Sequence, residues 1–152
     1  MPALANIAAY MKSFMQKAPA IDKYGFVQDF QWKPKVIAKT AAYTVLVKES
    51  GTIFTTTGAT AAVTFTLPAI DAGDGTGWIF YFMATADVGM TVTAETADTM
   101  ITFNDAAADS VAFSTASEIM GGAFMVFSDG TSLHAIPMGA GGHVQTLTVT
   151  TA

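Results

Sequence analysis

From Ala42 onward the chain alternates with a period of two, and it keeps that rhythm almost to its end. The segments "AYTVLV", "GTIFTTT", "AVTFTLP", "WIFYFMAT", "MTVTAET", "TMITF", "SVAFST", "AFMVFSDGTSLHAI" and "VQTLTVTT" are short and rich in Thr, Val, Phe and Ile. Each is bounded by Gly, Asp, Pro or Ala-rich turns, as strands are. No helical pattern intervenes, and strands spaced by roughly ten residues favour a sandwich or barrel. Residues 42–152 are therefore read as an all-β domain, an antiparallel β-sandwich or jelly-roll-like fold. In "SDGTS", Asp129-Gly130 is a two-residue hairpin signal joining Phe124–Phe127 to Ser132–Ile136. "WIFYFMAT" (Trp78–Thr85) is apolar on both faces, which marks a central strand covered on both sides or one face given to a subunit interface. Trp78, Phe80 and Phe82 are the interface candidates in that strand.

Residues 1–41 read differently. Leu4, Ile7, Ala8, Met11, Phe14 and Met15 recur at helical spacing between Pro2 and Pro19. This predicts a short amphipathic helix over Ala3–Lys17, whose Leu4, Ile7, Met11 and Phe14 are further interface candidates. Its apolar run is interrupted by Lys12 and Lys17 and no basic segment precedes it, so the leader is expected to be retained rather than cleaved. No run approaches the roughly 18 apolar residues of a membrane span, so no membrane partner is expected. Charge marks the same division. All seven lysines lie in residues 1–48, which carry net +5; the ten carboxylates of residues 49–152 meet no lysine or arginine, net −10. A basic leader of this kind can dock on an acidic surface, including that of a neighbouring copy.

Between helix and sheet lies "YGFVQDFQW", with Tyr24, Phe26, Phe30 and Trp32 at alternate positions of an extended chain. Fully buried, the four would contribute about 1.5–3 kcal/mol apiece, roughly 6–12 kcal/mol together. Fixing the backbone of this segment costs on the order of 9–18 kcal/mol. The stripe alone cannot order it; backbone pairing to a sheet edge or a partner groove is also required. One reading makes it the first strand of the sandwich. The reading favoured here makes Pro19–Lys35 an extended arm reaching roughly 50 Å, enough to grip a neighbour. Tyr24, Phe26, Phe30, Trp32, Lys33 and Lys35 are then its partner-binding residues.

Sites for chemistry are sparse. The absence of cysteine excludes disulfides, thiolate metal sites and cysteine nucleophiles. His134 lies near Ser128 and Asp129, but no nucleophile elbow or oxyanion loop accompanies the three, and an ordinary hairpin histidine is expected. "DAGDGTG" (Asp71–Gly77) lacks the third acidic position and closing glutamate of a calcium loop and reads as a turn. Asp98, Asp105 and Asp109 read as loop solvation, and His143 sits in a glycine link far from His134. No catalytic residue, cofactor or metal is expected. Nucleic acid is not expected either: "FQWKPK" mixes lysine with aromatics, but the chain has no arginine and its main domain would repel phosphate. Thr-rich strands such as "TLTVTT" raise an ice-binding face, but no Thr-x-Thr repeat at fixed period supports it.

The run "AYTVLVKESGTIFTTTGATAAVTFTLPAIDAGDGTGWIFYF", with "MTVTAETADTMITF" and "FMVFSDGTSLHAI", resembles a small β-sandwich module of tailed-bacteriophage virion proteins, most like capsid decoration (cement) proteins. The resemblance spans roughly Ala42 to Met138 and carries no catalytic signature. It implies a non-enzymatic structural protein, made in the host cytoplasm and carried on the outer capsid surface of the virion. Its implied partners are the major capsid protein lattice and copies of itself, as a homotrimer. From a different class, the module also occurs in phage tail fibres, where a glycan-binding role would use exposed aromatics such as Trp78 or Tyr81.

Overall fold

The computed structural model describes residues 20–21, 27–28, 34–70, 77–95, 100–102, 105–113, 119–138 and 147–150. They fall into two compact units, Met1–Lys33 and Pro34–Ala152. In the first unit, β1 (Ala20–Ile21) pairs antiparallel with β2 (Val27–Gln28). Pairing satisfies backbone groups of these four residues. The expected helix over Ala3–Lys17 lies outside the described residues, as do Tyr24, Phe26, Phe30, Trp32 and Lys33.

The second unit contains β3 (Val36–Ala38), β4 (Tyr43–Thr44), a 3₁₀ turn (Val47–Glu49), β5 (Ile53–Thr55), β6 (Val63–Thr66), β7 (Trp78–Met83) and β8 (Met90–Thr93). It continues with β9 (Met100–Thr102), β10 (Asp105–Ala108), β11 (Ser110–Phe113), β12 (Ala123–Ser128), β13 (Leu133–Met138) and β14 (Leu147–Thr150). The strands form a seven-stranded sheet, β10-β9-β13-β12-β7-β5-β3, and a five-stranded sheet, β14-β11-β8-β6-β4. The all-β expectation holds, but the purely antiparallel one is corrected. β3–β5, β5–β7, β4–β6, β6–β8 and β13–β9 are parallel pairs. The cause is the path of the chain. From β3 to β8 it alternates between sheets, so each strand returns to its own sheet in the same direction, and the strand laid in the other sheet is the crossover that parallel pairing requires. The compact unit begins at Pro34, ahead of residue 42: Val36↔Ile53 pairing makes β3 an edge strand, and Ile53 N–H donates to the Lys35 carbonyl at 2.8 Å.

The sheets face each other through an aromatic core. From the larger sheet Phe54, Trp78, Phe80, Phe82 and Phe124 point inward; from the smaller come Phe65, Met90, Val92 and Phe113. Ring centroids of Phe65 and Phe82 are 5.0 Å apart, and Phe113 stacks on Phe124 at 4.4 Å. Such offset and tilted pairs add to the burial of each ring. The β12–β13 hairpin forms as Asp129-Gly130 predicts, with Gly130 at φ 84°, but Ser128 pairs with Leu133 and the connection spans Asp129 to Ser132. The extra length follows from the Asp129 carboxylate, which accepts the N–H groups of Thr131 (2.8 Å) and Ser132 (2.7 Å) and so builds its own turn.

Candidate functional site: an apolar sheet face

Alternation along the larger sheet fixes which side chains leave the core. Since Trp78, Phe80 and Phe82 are 3, 0 and 0% exposed, Ile79, Tyr81 and Met83 take the opposite face. The same parity puts Met125 and Phe127 outward on β12, and His134, Ile136 and Met138 outward on β13. Register then lines them up across strands. One row runs Ile136, Met125, Tyr81, Ile53, Val36. A second runs Ile101, His134, Phe127, Ile79, and a third Met138, Ala123, Met83, Thr55, Ala38. From β9 to β3 no outward position carries Lys, Asp or Glu. Five of the seven exposed large hydrophobics among the described residues, Val36, Met83, Ile101, Ile136 and Met138, lie on this face. An antiparallel or mixed sheet normally solvates its open face with charged and polar side chains, so this one is built to be covered.

The other outer face is its chemical opposite. Thr44, Thr66, Thr93, Ser110 and Thr150 form one registered row across all five strands of the smaller sheet, with Thr64, Thr91, Ala112 and Thr148 in the next. Thr44 and Thr150 are exposed there, and the Thr93 hydroxyl donates to the Asp109 carbonyl at 3.3 Å.

This geometry corrects the interface assignment of Trp78, Phe80 and Phe82. They are core, and the Trp78 indole N–H donates inward to the Ala69 carbonyl at 3.3 Å. The signal was present in "WIFYFMAT", whose two apolar faces call for two covers, but the outward parity is Ile79, Tyr81 and Met83. Burial also removes Trp78 as a platform for sugar rings. Lys35 is exposed, with its backbone in the sheet. Leu4, Ile7, Met11 and Phe14 lie outside the described residues.

The histidine has a structural partner. His134 Nε2 lies 3.0 Å from Asp129 Oδ2, and its ring stacks on Phe127 at 4.7 Å. The Ser132 N–H, the His134 side chain and the Thr131 N–H together hold the Asp129 carboxyl down at about 2. Ser128 points the other way, donating from Oγ to the Ile70 carbonyl at 2.7 Å, so the three residues assemble no nucleophile. Asp105 accepts the Ala107 N–H at 2.8 Å, a turn role, and Asp71, Asp98 and His143 lie outside the described residues. No group of His, Asp or Glu suited to a metal, and no helix long and apolar enough to cross a membrane, occurs among the described residues. An open groove of about 280 Å³ beside β4, lined by Thr44–Val47, Leu67–Ala69 and Glu95, offers one carboxylate and otherwise apolar or hydroxyl side chains.

No protein-family model and no curated protein sequence matches the chain.

Proposed function

We propose that this protein is a non-enzymatic structural protein of a bacteriophage virion, a capsid decoration protein that docks on the outer capsid surface and bridges neighbouring subunits. The observation that carries the reading is the uncharged apolar face of the larger sheet, a surface whose exposure to water is costly and whose covering by protein is favourable. The resemblance of Ala42–Met138 to decoration modules supplies the class of assembly. The basic leader, with Tyr24, Phe26, Phe30 and Trp32 ahead of Lys33 and Lys35, supplies a segment that can reach a neighbour. Binding that needs the assembled lattice stabilises that lattice by mass action.

The test is co-sedimentation of purified protein with capsids lacking it, followed by heating. Saturable binding with a rise in the temperature of capsid disruption supports the reading. Absence of binding at tens of micromolar protein overturns it.

A further inference from the structure

We infer that copies of this chain join head to tail through the two edges of the seven-stranded sheet, β3 of one copy pairing antiparallel with β10 of the next. The inference deepens the structural role proposed above by naming how copies meet, and rests on that reading only for the purpose of the assembly. Three observations carry it.

The first is that both edges can accept a strand. Among the described residues the sheet ends at β3 on one side and at β10 on the other. Ile53 N–H donates to the Lys35 carbonyl and Lys39 N–H to the Thr55 carbonyl, each at 2.8 Å, so Lys35, Ile37 and Lys39 turn their backbone groups toward β5. Val36 and Ala38, both exposed, therefore aim theirs outward, where an added strand pairs. On β10, whose pairing with β9 shifts register between Asp105 and Ala108, Ala106 and Ala107 are exposed.

The second is charge. Lys35 and Lys39 bracket β3, whereas Asp105 begins β10 and Asp109 follows it, so the two edges carry opposite charge at the same spacing in sequence. An antiparallel contact of β3 with β3 would oppose lysine to lysine, and one of β10 with β10 aspartate to aspartate. Only β3 with β10 is attractive. Parity agrees. Lys35 and Lys39 alternate with outward Val36 and Ala38, and Asp105 pairs with inward Thr102, so in a continued sheet Asp105 and the lysines leave on the same side. A carboxylate that accepts the Ala107 N–H through Oδ1, as Asp105 does, has acceptor sites for an ammonium as well.

The third is strand direction. β3, β5 and β7 run together, β12 opposes them, β13 and β9 run with β7, and β10 opposes these again. A second copy set alongside with its strands in the same sense thus meets β3 antiparallel through its β10. Lys39 then lies toward the Asp105 end of that strand and Lys35 toward the Asp109 end. Because the two edges differ, the contact is heterologous and propagates from copy to copy until a ring closes. It leaves the apolar sheet face to the capsid.

The experiment uses the full chain, which has no cysteine of its own. Sedimentation at tens of micromolar should give an assembly larger than two 15.8 kDa chains, weakened by added salt. Lys35→Glu with Lys39→Glu, and separately Asp105→Lys with Asp109→Lys, should each weaken association at least ~10-fold, and the four changes in one chain should restore it. If the aspartate variant fails to fold, a cysteine pair decides. Ala38→Cys with Ala106→Cys lie about 29 Å apart across the six inter-strand gaps of one copy, beyond a short bismaleimide, and should be cross-linked only between copies. Either cysteine alone should give no cross-link. A monomeric wild type, a dimer, an assembly indifferent to both charge reversals, or cross-linking through Ala38→Cys alone overturns the inference. Capsid binding is scored separately: a monomer that binds capsids sinks only this inference, and an assembly that ignores capsids sinks only the decoration reading.

Discussion

Thr56 isolates one hydrogen-bonding role in the fold. Its side chain is fully buried after β5, and its Oγ1 accepts the backbone N–H groups of Thr85 at 3.0 Å and Ala86 at 3.1 Å. Those two amides follow β7, where the chain leaves the larger sheet, and Thr56 accepts both across 29 and 30 residues of sequence. Thr56→Val keeps the shape of the side chain and deletes the acceptor. Each buried amide left unpaired costs about 1–3 kcal/mol. Thr85 and Ala86 are only partly buried, so water recovers part of this, and a total loss of roughly 2–4 kcal/mol is expected. Thr56→Ser keeps the acceptor and removes one buried methyl, worth about 1 kcal/mol. The assay is urea unfolding followed by tryptophan fluorescence, comparing midpoints at constant slope. The order of the two variants is the decisive result. If Thr56→Ser destabilises more than Thr56→Val, packing and not hydrogen bonding is what Thr56 supplies, and the reasoning fails.

Three further outcomes are expected. Gly77 sits at φ 83°, and a Cβ there would collide with the Ser128 carbonyl oxygen where β7 meets β12, so Gly77→Ala should cost more than about 2 kcal/mol in the same urea assay; a neutral result would contradict that geometry. The Asp129 carboxyl titrates at about 2, below its ordinary 3.8, so its contribution to stability is present above about pH 4 and is lost as pH falls toward 2. Calorimetry from pH 2 to 6 should show wild type and Asp129→Asn diverging only above the lower end of that window; a gap independent of pH would show that the charge is irrelevant. Removal of residues 1–33 should leave a cooperative melt, because the compact unit starts at Pro34, and an unfolded product would place the aromatic stripe of Tyr24–Trp32 back in the core.

The local period and turn chemistry of this chain determined a good deal. Alternation from Ala42 onward specified strands because side-chain direction in an extended backbone depends only on parity. Asp129-Gly130 specified a hairpin because the glycine tolerates positive φ and the aspartate builds its turn from groups two and three residues away. "WIFYFMAT" specified a strand with two apolar faces. What parity cannot decide is which face meets the core. That choice belongs to partners distant in sequence: Phe54, Phe65 and Phe124 draw Trp78, Phe80 and Phe82 inward and thereby turn Ile79, Tyr81 and Met83 out. Pairing direction was equally invisible, because whether β5 joins β3 in parallel depends on where β4 lies in the opposite sheet. Thr44, Thr66, Thr93, Ser110 and Thr150 form one row only because five separate strands are laid side by side in register. Their spacing along the chain holds no trace of that row, since hydrogen bonding between strands, and not sequence distance, sets who stands beside whom.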